Sequence, residues 1–255
     1  MHGSLIGSKF FVFREIFRLQ LGDGTEIGVN IIIPTLNEVK NIGNIIKRLK
    51  RIGCHSILVV DGHSTDGTVE VAKALGAKAI TQNGNGKGGA LRDAFRSIHL
   101  DGEVIVIMDA DGSMSPEEVP LFVEAVRNGG HVIKGSRFLP SAGSEDLTAL
   151  RRVGNMLLVG VLNLLFGTRY TDLCYGFIAF RKNALITLAP YLVSDEFEIE
   201  TEICIKSKTL GFRVIEIPSV ERVRSFGKSN LNTFRDGFKI FALLFREAIA
   251  RNGVS

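Results

Sequence analysis

The chain has 255 residues, of which 45% are hydrophobic and 23% are charged, and its formal net charge is +4. That length is sufficient for one large α/β domain with a buried core, and so weak a positive charge gives no reason to expect a nucleic-acid partner. The three cysteines lie at positions 54, 174 and 204. They have no metal-binding or redox spacing, which is typical of a reduced cytoplasmic protein.

Residues 1–28 are predicted to form an apolar and basic N-terminal extension. Charges interrupt its apolar stretch and it lacks a cleavage-type ending, so we do not expect it to act as a secretory signal. A single domain is predicted to follow, over residues 29–251. It divides into a nucleotide-binding half, 29–135, and an acceptor half, 136–251.

Short apolar strands alternate with helices over the first 135 residues, which predicts βαβ units and a mostly parallel sheet. The predicted strands are 29–34, 56–61, 77–81, 103–108 and 131–136, and the predicted helices are 38–52, 68–76, 89–100 and 115–130.

The alternation ends in the second half, which we expect to supply substrate contacts. A Gly/Ser/Pro-rich loop covers 139–148. The elements predicted after it are a helix at 149–166, a strand at 176–180, a helix at 198–211, a strand at 212–218 and a final helix at 238–251. The longest apolar stretch, 153–167, is too short and too interrupted to predict a membrane-spanning helix.

The final helix is strongly apolar and carries Lys239, Arg246 and Arg251. A basic amphipathic helix of this kind can lie in the headgroup layer of a membrane, and the N-terminal extension has similar character. Packing on the sheet or on a partner chain explains the pattern equally well.

Polar residues follow the predicted parallel strands at the points where the strands end. Asn37, which could cap the next helix, and Glu38 follow the first strand, and Asp61 ends the second. Asp109 and Asp111 follow the fourth strand with spacing i, i+2, so both carboxylates should project to the same side. Ligands bind at the carboxyl ends of such strands, and adjacent carboxylates are costly unless a cation, a network of hydrogen-bond donors or a proton offsets their charges. The pattern suits a nucleotide, its diphosphate and a divalent metal; the alternative is a solvated turn that caps the helix near residue 116.

The glycine-rich loop at 82–89 has a competing interpretation. Gly84, Gly86 and Gly89 match the G-x-G-x-x-G pattern of dinucleotide-binding proteins. That fingerprint belongs in the first βα turn, however, and Lys87 lacks the flanking residues of a P-loop. We therefore disfavour an NAD enzyme.

Five motifs in the first half resemble, in order, those of family-2 inverting glycosyltransferases with the GT-A fold: IIIPTLNE, VVDGHSTDGT, GKGGALRDAF, MDADGSMSPEEV and KGSRF. Four motifs in the second half resemble the polyprenyl-phosphate branch, which is dolichol-phosphate mannose synthase-like: RRVGN, TDLCYGFIAFRK, FEIETEI and RSFGKSNL. The resemblance covers residues 29–247. It implies an α/β GT-A fold, with a Rossmann-like, mostly parallel sheet flanked by helices and an elaborated acceptor-side second half.

The resemblance also implies an activity. It is the metal-dependent, inverting transfer of a hexose from a nucleoside-diphosphate sugar (GDP-mannose or a UDP-hexose) to a polyprenyl or dolichyl phosphate. The enzyme would be cytoplasmic and peripherally associated with the cytoplasmic face of a membrane, through its surface or through a membrane partner protein.

Roles for individual residues follow from the same resemblance. The residues implied to bind the nucleotide sugar are Pro34, Thr35, Asn37, Glu38, Asp61, Lys87 and Asp109. Those implied to hold Mg²⁺ or Mn²⁺ are Asp109 and Asp111. Those implied to be catalytic are Asp111, Arg137, Arg152 and Arg224. Those implied to bind the acceptor phosphate are Arg137, Arg151, Arg152, Lys228 and Ser229. Members of this branch often have glutamine at the position of Ser113, which puts the third metal ligand in question.

The chemistry is consistent with a phosphate acceptor. A lipid phosphate is already anionic and needs arginine rather than a general base, and the second half is rich in arginine and has no histidine. Three alternatives stay open. One is transfer to a saccharide or protein hydroxyl, with Glu196 or Glu198 as the base. Another is a catalytically silent partner subunit. The third, a sugar-1-phosphate nucleotidyltransferase, is disfavoured because its glycine-rich signature should follow the first strand.

Overall fold

The structure is a computed structural model, and it describes residues 28–97, 102–227 and 232–252. The predicted N-terminal extension, apart from Gly28, lies outside the described residues. The central element is a seven-stranded sheet with the order β3-β2-β1-β4-β7-β5-β8. Its strands are β1 (Val29–Thr35), β2 (Ser56–Asp61), β3 (Lys78–Thr81), β4 (Val104–Ile107), β5 (Val132–Ser136), β7 (Ile178–Arg181) and β8 (Val214–Pro218). A separate parallel pair consists of β6 (Gly143–Ser144) and β9 (Val220–Glu221).

Helices cover both faces of this sheet. They are α1 (Val39–Arg51), α2 (Thr68–Ala74), α3 (Gly86–Ser97), α4 (Val119–Arg127), α5 (Ala149–Phe166), α6 (Lys182–Leu188), α7 (Ile199–Thr209) and α8 (Thr233–Asn252). Short 3-10 turns at Pro116–Glu118 and Ala189–Tyr191 precede α4 and follow α6.

Side chains along a buried strand point alternately to the two faces of the sheet, which explains why helices pack on both sides of it. In β1, Ile31 and Ile33 pack with residues of α1 and α4 on one face, whereas Ile32 packs with residues of α3, α6 and α7 on the other. All three isoleucines are fully buried, as expected for a central parallel strand that is covered on both sides. These layers confirm the predicted α/β class with a mostly parallel sheet.

Strand β7 runs antiparallel to both of its neighbours, β4 and β5. Its first residue, Ile178, pairs with Ile107 at the carboxyl end of β4. The segment just before β7, which includes Tyr175 and Gly176, therefore reaches the edge of the sheet where Asp109 lies. Because the sheet takes strands from both halves of the chain, we propose that residues 29–251 fold as one domain.

The second half differs from the prediction in several elements. Helix α6 and the strand pair β6 and β9 were not predicted, β7 and β8 begin two residues later than predicted, and α8 begins at Thr233 rather than at residue 238. Helices α5, α7 and α8 pack together around Leu162, Leu243 and Leu244. Among the described residues, α5 is the one helix that is long and apolar enough to cross a membrane, with a mean hydropathy of 1.4 and 17% of it buried.

Candidate active site

A cavity of about 540 Å³ lies at the carboxyl edge of the sheet and is lined by residues from both halves of the chain. The turns after β1, β2, β3, β4 and β5 all contribute to its wall, as do α5 and α8. The predicted site residues that line it are Pro34, Thr35, Glu38, Lys87, Asp109, Asp111, Arg137, Arg151 and Arg224.

Asp111 is held from two sides. Its Oδ1 accepts hydrogen bonds from the backbone N–H of Ser113 (2.9 Å) and from the Ser113 hydroxyl (2.7 Å). Its Oδ2 lies 2.9 Å from Nη2 of Arg224. The Ser113 hydroxyl therefore orients a carboxylate that the sequence assigned to a metal.

Lys87 and Glu200 surround the second carboxylate of this pair. Nζ of Lys87 lies 2.5 Å from Oδ1 of Asp109 and 2.6 Å from Oε1 of Glu200. Burial raises the pKa of Asp109, and the charge of Lys87 opposes that rise. Burial alone would lower the pKa of Lys87, but the carboxylates of Asp109 and Glu200 raise it above its usual value.

The carboxylate pair fits a hard divalent cation. Mg²⁺ is commonly bound by one or two carboxylates together with substrate phosphate oxygens, and Asp109 and Asp111 supply that protein contribution on one wall of the cavity. Among the described residues, no three His, Cys, Asp or Glu side chains form a metal-binding group.

Glu200 was not predicted as a site residue, although it lies within the FEIETEI motif. It comes from α7, and its carboxylate reaches Lys87 beside Gly176. A Cβ at position 176 would overlap Nζ of Lys87 and lie 2.5 Å from Oε1 of Glu200. A side chain at this position would therefore force the ends of the Lys87 and Glu200 side chains to move.

We expect Gly176→Ala to lower the affinity for a nucleoside-diphosphate sugar by about tenfold, because the added methyl group displaces Lys87 from Asp109. Calorimetric titration measures this. Gly160→Ala is the matched control, because a Cβ at that helical position has open space around it. Equal affinities for the two variants would contradict the role given to Gly176.

Arg224 connects the two halves of the cavity. It lies in the loop after β9, and its Nη1 donates to Oε1 of Glu38 at 2.9 Å while Nη2 reaches Asp111. Burial raises the pKa of Glu38, whereas a hydrogen bond from Asn41 and the charge of Arg224 lower it. One guanidinium thus joins the turns that follow β1 and β4.

Arg137 lines the cavity but is paired with two carboxylates, and its catalytic and acceptor-phosphate roles stay predictions. Its side chain is 5% exposed, and Nε and Nη2 bind the two carboxylate oxygens of Asp172 at 2.7 and 2.9 Å. Nη1 also donates to both carboxylate oxygens of Glu221, at 3.1 and 3.2 Å. The Nε and Nη2 edge of the guanidinium, which could otherwise bind a phosphate, is therefore occupied by Asp172.

The side chains of Arg151 and Arg152 point in different directions, because successive side chains on a helix lie about 100° apart. Arg151 lines the cavity, and its Nε lies 3.4 Å from the Thr233 hydroxyl. Arg152 is exposed over the ring of Phe138, 5.4 Å from the ring centroid, and it is not part of the cavity wall. The implied contact of Arg152 with the acceptor phosphate is therefore not supported by its position.

Asn37 and Asp61 are also placed outside the cavity wall. Asn37 does not cap α1; its Oδ1 accepts the backbone N–H of Thr65 at 2.9 Å, which joins the turns after β1 and β2. Asp61 is buried beneath the wall, and its Oδ2 accepts the backbone N–H of Ser64 at 3.0 Å. Its Oδ1 is buried with no hydrogen-bond partner among the described residues. Lys228 and Ser229 lie outside the part of the chain that the structure describes.

The two glutamates named for a hydroxyl acceptor also differ in position. Glu196 lines the cavity, next to Phe197. Glu198 is not part of the wall, and its Oε2 is buried without a hydrogen-bond partner among the described residues.

Comparison with known proteins agrees with this geometry. The family model "Glycosyl transferase family 2" matches residues 30–188. Glycosyltransferase AglJ of Haloferax volcanii is 32% identical over 229 residues, which cover 89% of this chain and 74% of that protein. A dolichyl-phosphate hexose transferase of the same organism is 29% identical, over 82% of this chain and 89% of that protein.

A solved structure shares the fold. It is glucosyl-3-phosphoglycerate synthase from Mycobacterium tuberculosis in complex with Mn²⁺, UDP and glucosyl-3-phosphoglycerate. The TM-score is 0.68 at 19% identity, over 97% of this chain and 85% of that one. This likeness confirms the predicted GT-A fold.

Proposed function

We propose, because this chain belongs to glycosyltransferase family 2, that it transfers a hexose from a nucleoside-diphosphate sugar to a polyprenyl phosphate with inversion. The observation that carries the proposal is the set of cations around the carboxylate pair. Lys87, Arg151 and Arg224 all line the cavity that contains Asp109 and Asp111. A site that brings two phosphate-bearing substrates together needs charge-assisted donors of this kind.

The donor side of the proposal rests on the first half of the chain. Pro34, Thr35 and Glu38 line the cavity at the carboxyl end of β1. Asp61, whose Oδ1 has no hydrogen-bond partner among the described residues, would bind the nucleobase or the ribose. Lys87 would move from Asp109 to the diphosphate.

Asp109 and Asp111 would hold Mg²⁺ or Mn²⁺ against the donor diphosphate. When bound, the cation neutralises charge that develops on the leaving diphosphate. Ser113 and Arg224 keep the Asp111 carboxylate oriented for that contact.

The acceptor side rests on Arg151 and Arg224, which come from the second half. They would hold the lipid phosphate so that one of its oxygens forms the bond to the anomeric carbon. The bond from that carbon to the diphosphate breaks, and its electron pair leaves with the nucleoside diphosphate. Because the phosphate is already anionic, no general base is required.

The name of the dolichyl-phosphate hexose transferase supports the choice of acceptor. The enzyme would then work at the cytoplasmic face of a membrane, attached peripherally or through a membrane partner protein. Transfer to a hydroxyl stays the second candidate, because Glu196 lines the cavity and could serve as its base.

The proposal is tested with a panel of UDP- and GDP-sugars and a short polyprenyl phosphate, and with mass spectrometry of the lipid product. We expect one hexosyl donor to give a polyprenyl-phosphate sugar in the presence of Mg²⁺ or Mn²⁺. Absence of any lipid product, together with transfer to a saccharide or protein, would contradict the lipid acceptor. Absence of turnover with every donor and acceptor would favour a silent subunit.

We also expect Arg224→Gln to lower the rate by about ten- to a hundredfold, because one charge-assisted contact to phosphate is worth about 1.5–3 kcal/mol. Arg222→Gln is the matched control: Arg222 pairs with Glu145 on the surface, and both side chains are half exposed.

The rate should rise with pH through the second ionisation of the lipid phosphate, about pH 6 by analogy with phosphoserine, and be flat above it. If Glu196→Gln is inactive while Arg224→Gln keeps full activity, the hydroxyl acceptor is the correct one.

A further inference from the structure

Helix α5 exposes a continuous apolar stripe. Leu150, Val153, Leu157 and Leu164 recur at helical spacing on its outer side, and Leu164 is 84% exposed. Gly160 lies in the same stripe and is also exposed. Beyond Arg152 the helix carries no charged residue.

Helix α8 exposes a second stripe, which is mainly aromatic. Its inner side packs Leu243 and Leu244 into the core, whereas its outer side carries large apolar residues in a row. The members of the outer stripe are Phe234, Phe238, Phe241, Phe245 and Ile249. Soluble monomers rarely expose so many large side chains together without a binding function.

The two helices pack against each other over one core cluster, and we call their two outer stripes together the α5–α8 face. The same helices border the cavity: α5 contributes Arg151 and Leu158, and α8 contributes Thr233 and Ile240. The apolar surface therefore adjoins the predicted acceptor side of the site.

The exposed charged side chains of helices α5 and α8 are all arginines. They are Arg152, Arg235, Arg246 and Arg251. The two acidic residues of α8 are less exposed than these arginines. Asp236 is 1% exposed and pairs with Arg235 at 3.0 Å, and Glu247 pairs with Lys206 at 2.5 Å and with Arg246 at 3.4 Å. An apolar centre with an arginine-only rim complements an anionic bilayer, where apolar residues enter the acyl boundary and arginines contact the headgroups.

We infer that the α5–α8 face docks onto the surface of an anionic lipid bilayer and presents the cavity to lipids held there. The inference rests on the proposed function, since a lipid phosphate has to reach the cavity from a membrane. A second copy of the chain on the same face would cover the helices that border the cavity. A bilayer covers them while it delivers the substrate.

The test uses the full chain and a double variant, Leu164→Glu with Phe238→Glu. Both side chains are exposed and neither lines the cavity, so the fold and the site should persist. The control double variant is Ile186→Glu with Tyr191→Glu, which alters two exposed apolar residues outside the face. Flotation measures binding to vesicles of phosphatidylcholine with phosphatidylglycerol and to vesicles of phosphatidylcholine alone.

We expect the double variant to lose about tenfold or more of its binding to the anionic vesicles, and the control to bind like the wild type. Both should keep the affinity for the nucleoside-diphosphate sugar and the transfer to a short, water-soluble polyprenyl phosphate. Transfer to a long polyprenyl phosphate in vesicles should fall only in the double variant.

Equal vesicle binding by the wild type and both variants would overturn the inference. So would a wild-type dimer that ignores vesicles and becomes monomeric in the double variant, because the face would then join two copies. If no lipid phosphate accepts sugar but vesicle binding still depends on the face, the proposed function fails and the membrane surface stands.

Discussion

We expect Asp111→Asn to lower kcat/KM for sugar transfer on the order of a thousandfold. Asp111 is one of two carboxylates proposed to hold the metal, and metal-ion stabilisation of a leaving diphosphate is worth several kcal/mol. The variant keeps the shape of the side chain and one acceptor oxygen for Ser113. The loss should therefore come from the missing charge rather than from a change of fold. Initial rates over a series of Mn²⁺ and Mg²⁺ concentrations measure it, with circular dichroism as the check on folding.

Ser113→Ala is the graded control for this experiment. It removes the hydroxyl hydrogen bond to Asp111 but keeps the backbone N–H contact at 2.9 Å. A loss of about ten- to a hundredfold is expected, which is typical for a residue that orients a metal ligand. Full activity of Asp111→Asn in the presence of a strong chelator would refute the metal assignment.

The second large effect is on stability. We expect Arg137→Ala to lower the free energy of unfolding by about 3–5 kcal/mol, since it leaves the buried Asp172 carboxylate and that of Glu221 without their cation. Denaturant unfolding followed by fluorescence measures the change. Loss of activity in this variant is therefore not by itself a sign of catalysis.

Two further variants separate charge from packing at this position. Asp172→Asn in the Arg137→Ala background should recover part of the lost stability, because it removes an unpaired buried charge. Arg222→Ala, which breaks an exposed pair with Glu145, should change stability by about 0.5 kcal/mol or less. If Arg137→Ala were as stable as Arg222→Ala, the buried pair with Asp172 would contribute nothing.

Much of the first half could be predicted from local patterns. Strand β2 has the predicted bounds, 56–61, because a continuous apolar run bounded by polar residues marks a buried strand. Asp109 and Asp111 line the cavity, as expected for residues that directly follow a strand, because the end of a strand fixes the position of the residues after it.

The second half could be predicted less well, for physical reasons. The partners of Arg137 are Asp172 and Glu221, which are 35 and 84 residues away in the chain and carry no local signal of pairing. Helix α6 is only two turns long and ends against Pro190, so its periodicity is too short to detect. The direction of β7 was not predicted either, since a four-residue apolar strand pairs equally well in both senses.

The position of β7 in the sheet also affects when the candidate site can form during synthesis of the chain. A ribosome completes β4 and β5 well before it reaches Ile178, yet these two strands are joined only through β7. Until then the facing backbone groups of β4 and β5 have no partner strand, and such open edges favour wrong pairing. A nascent chain that ended at residue 150 would contain Asp109 and Asp111 but not Gly176 or Glu200. The proposed donor site would consequently form late in translation, and splitting the gene between the two halves should yield fragments that acquire donor binding only on reassembly.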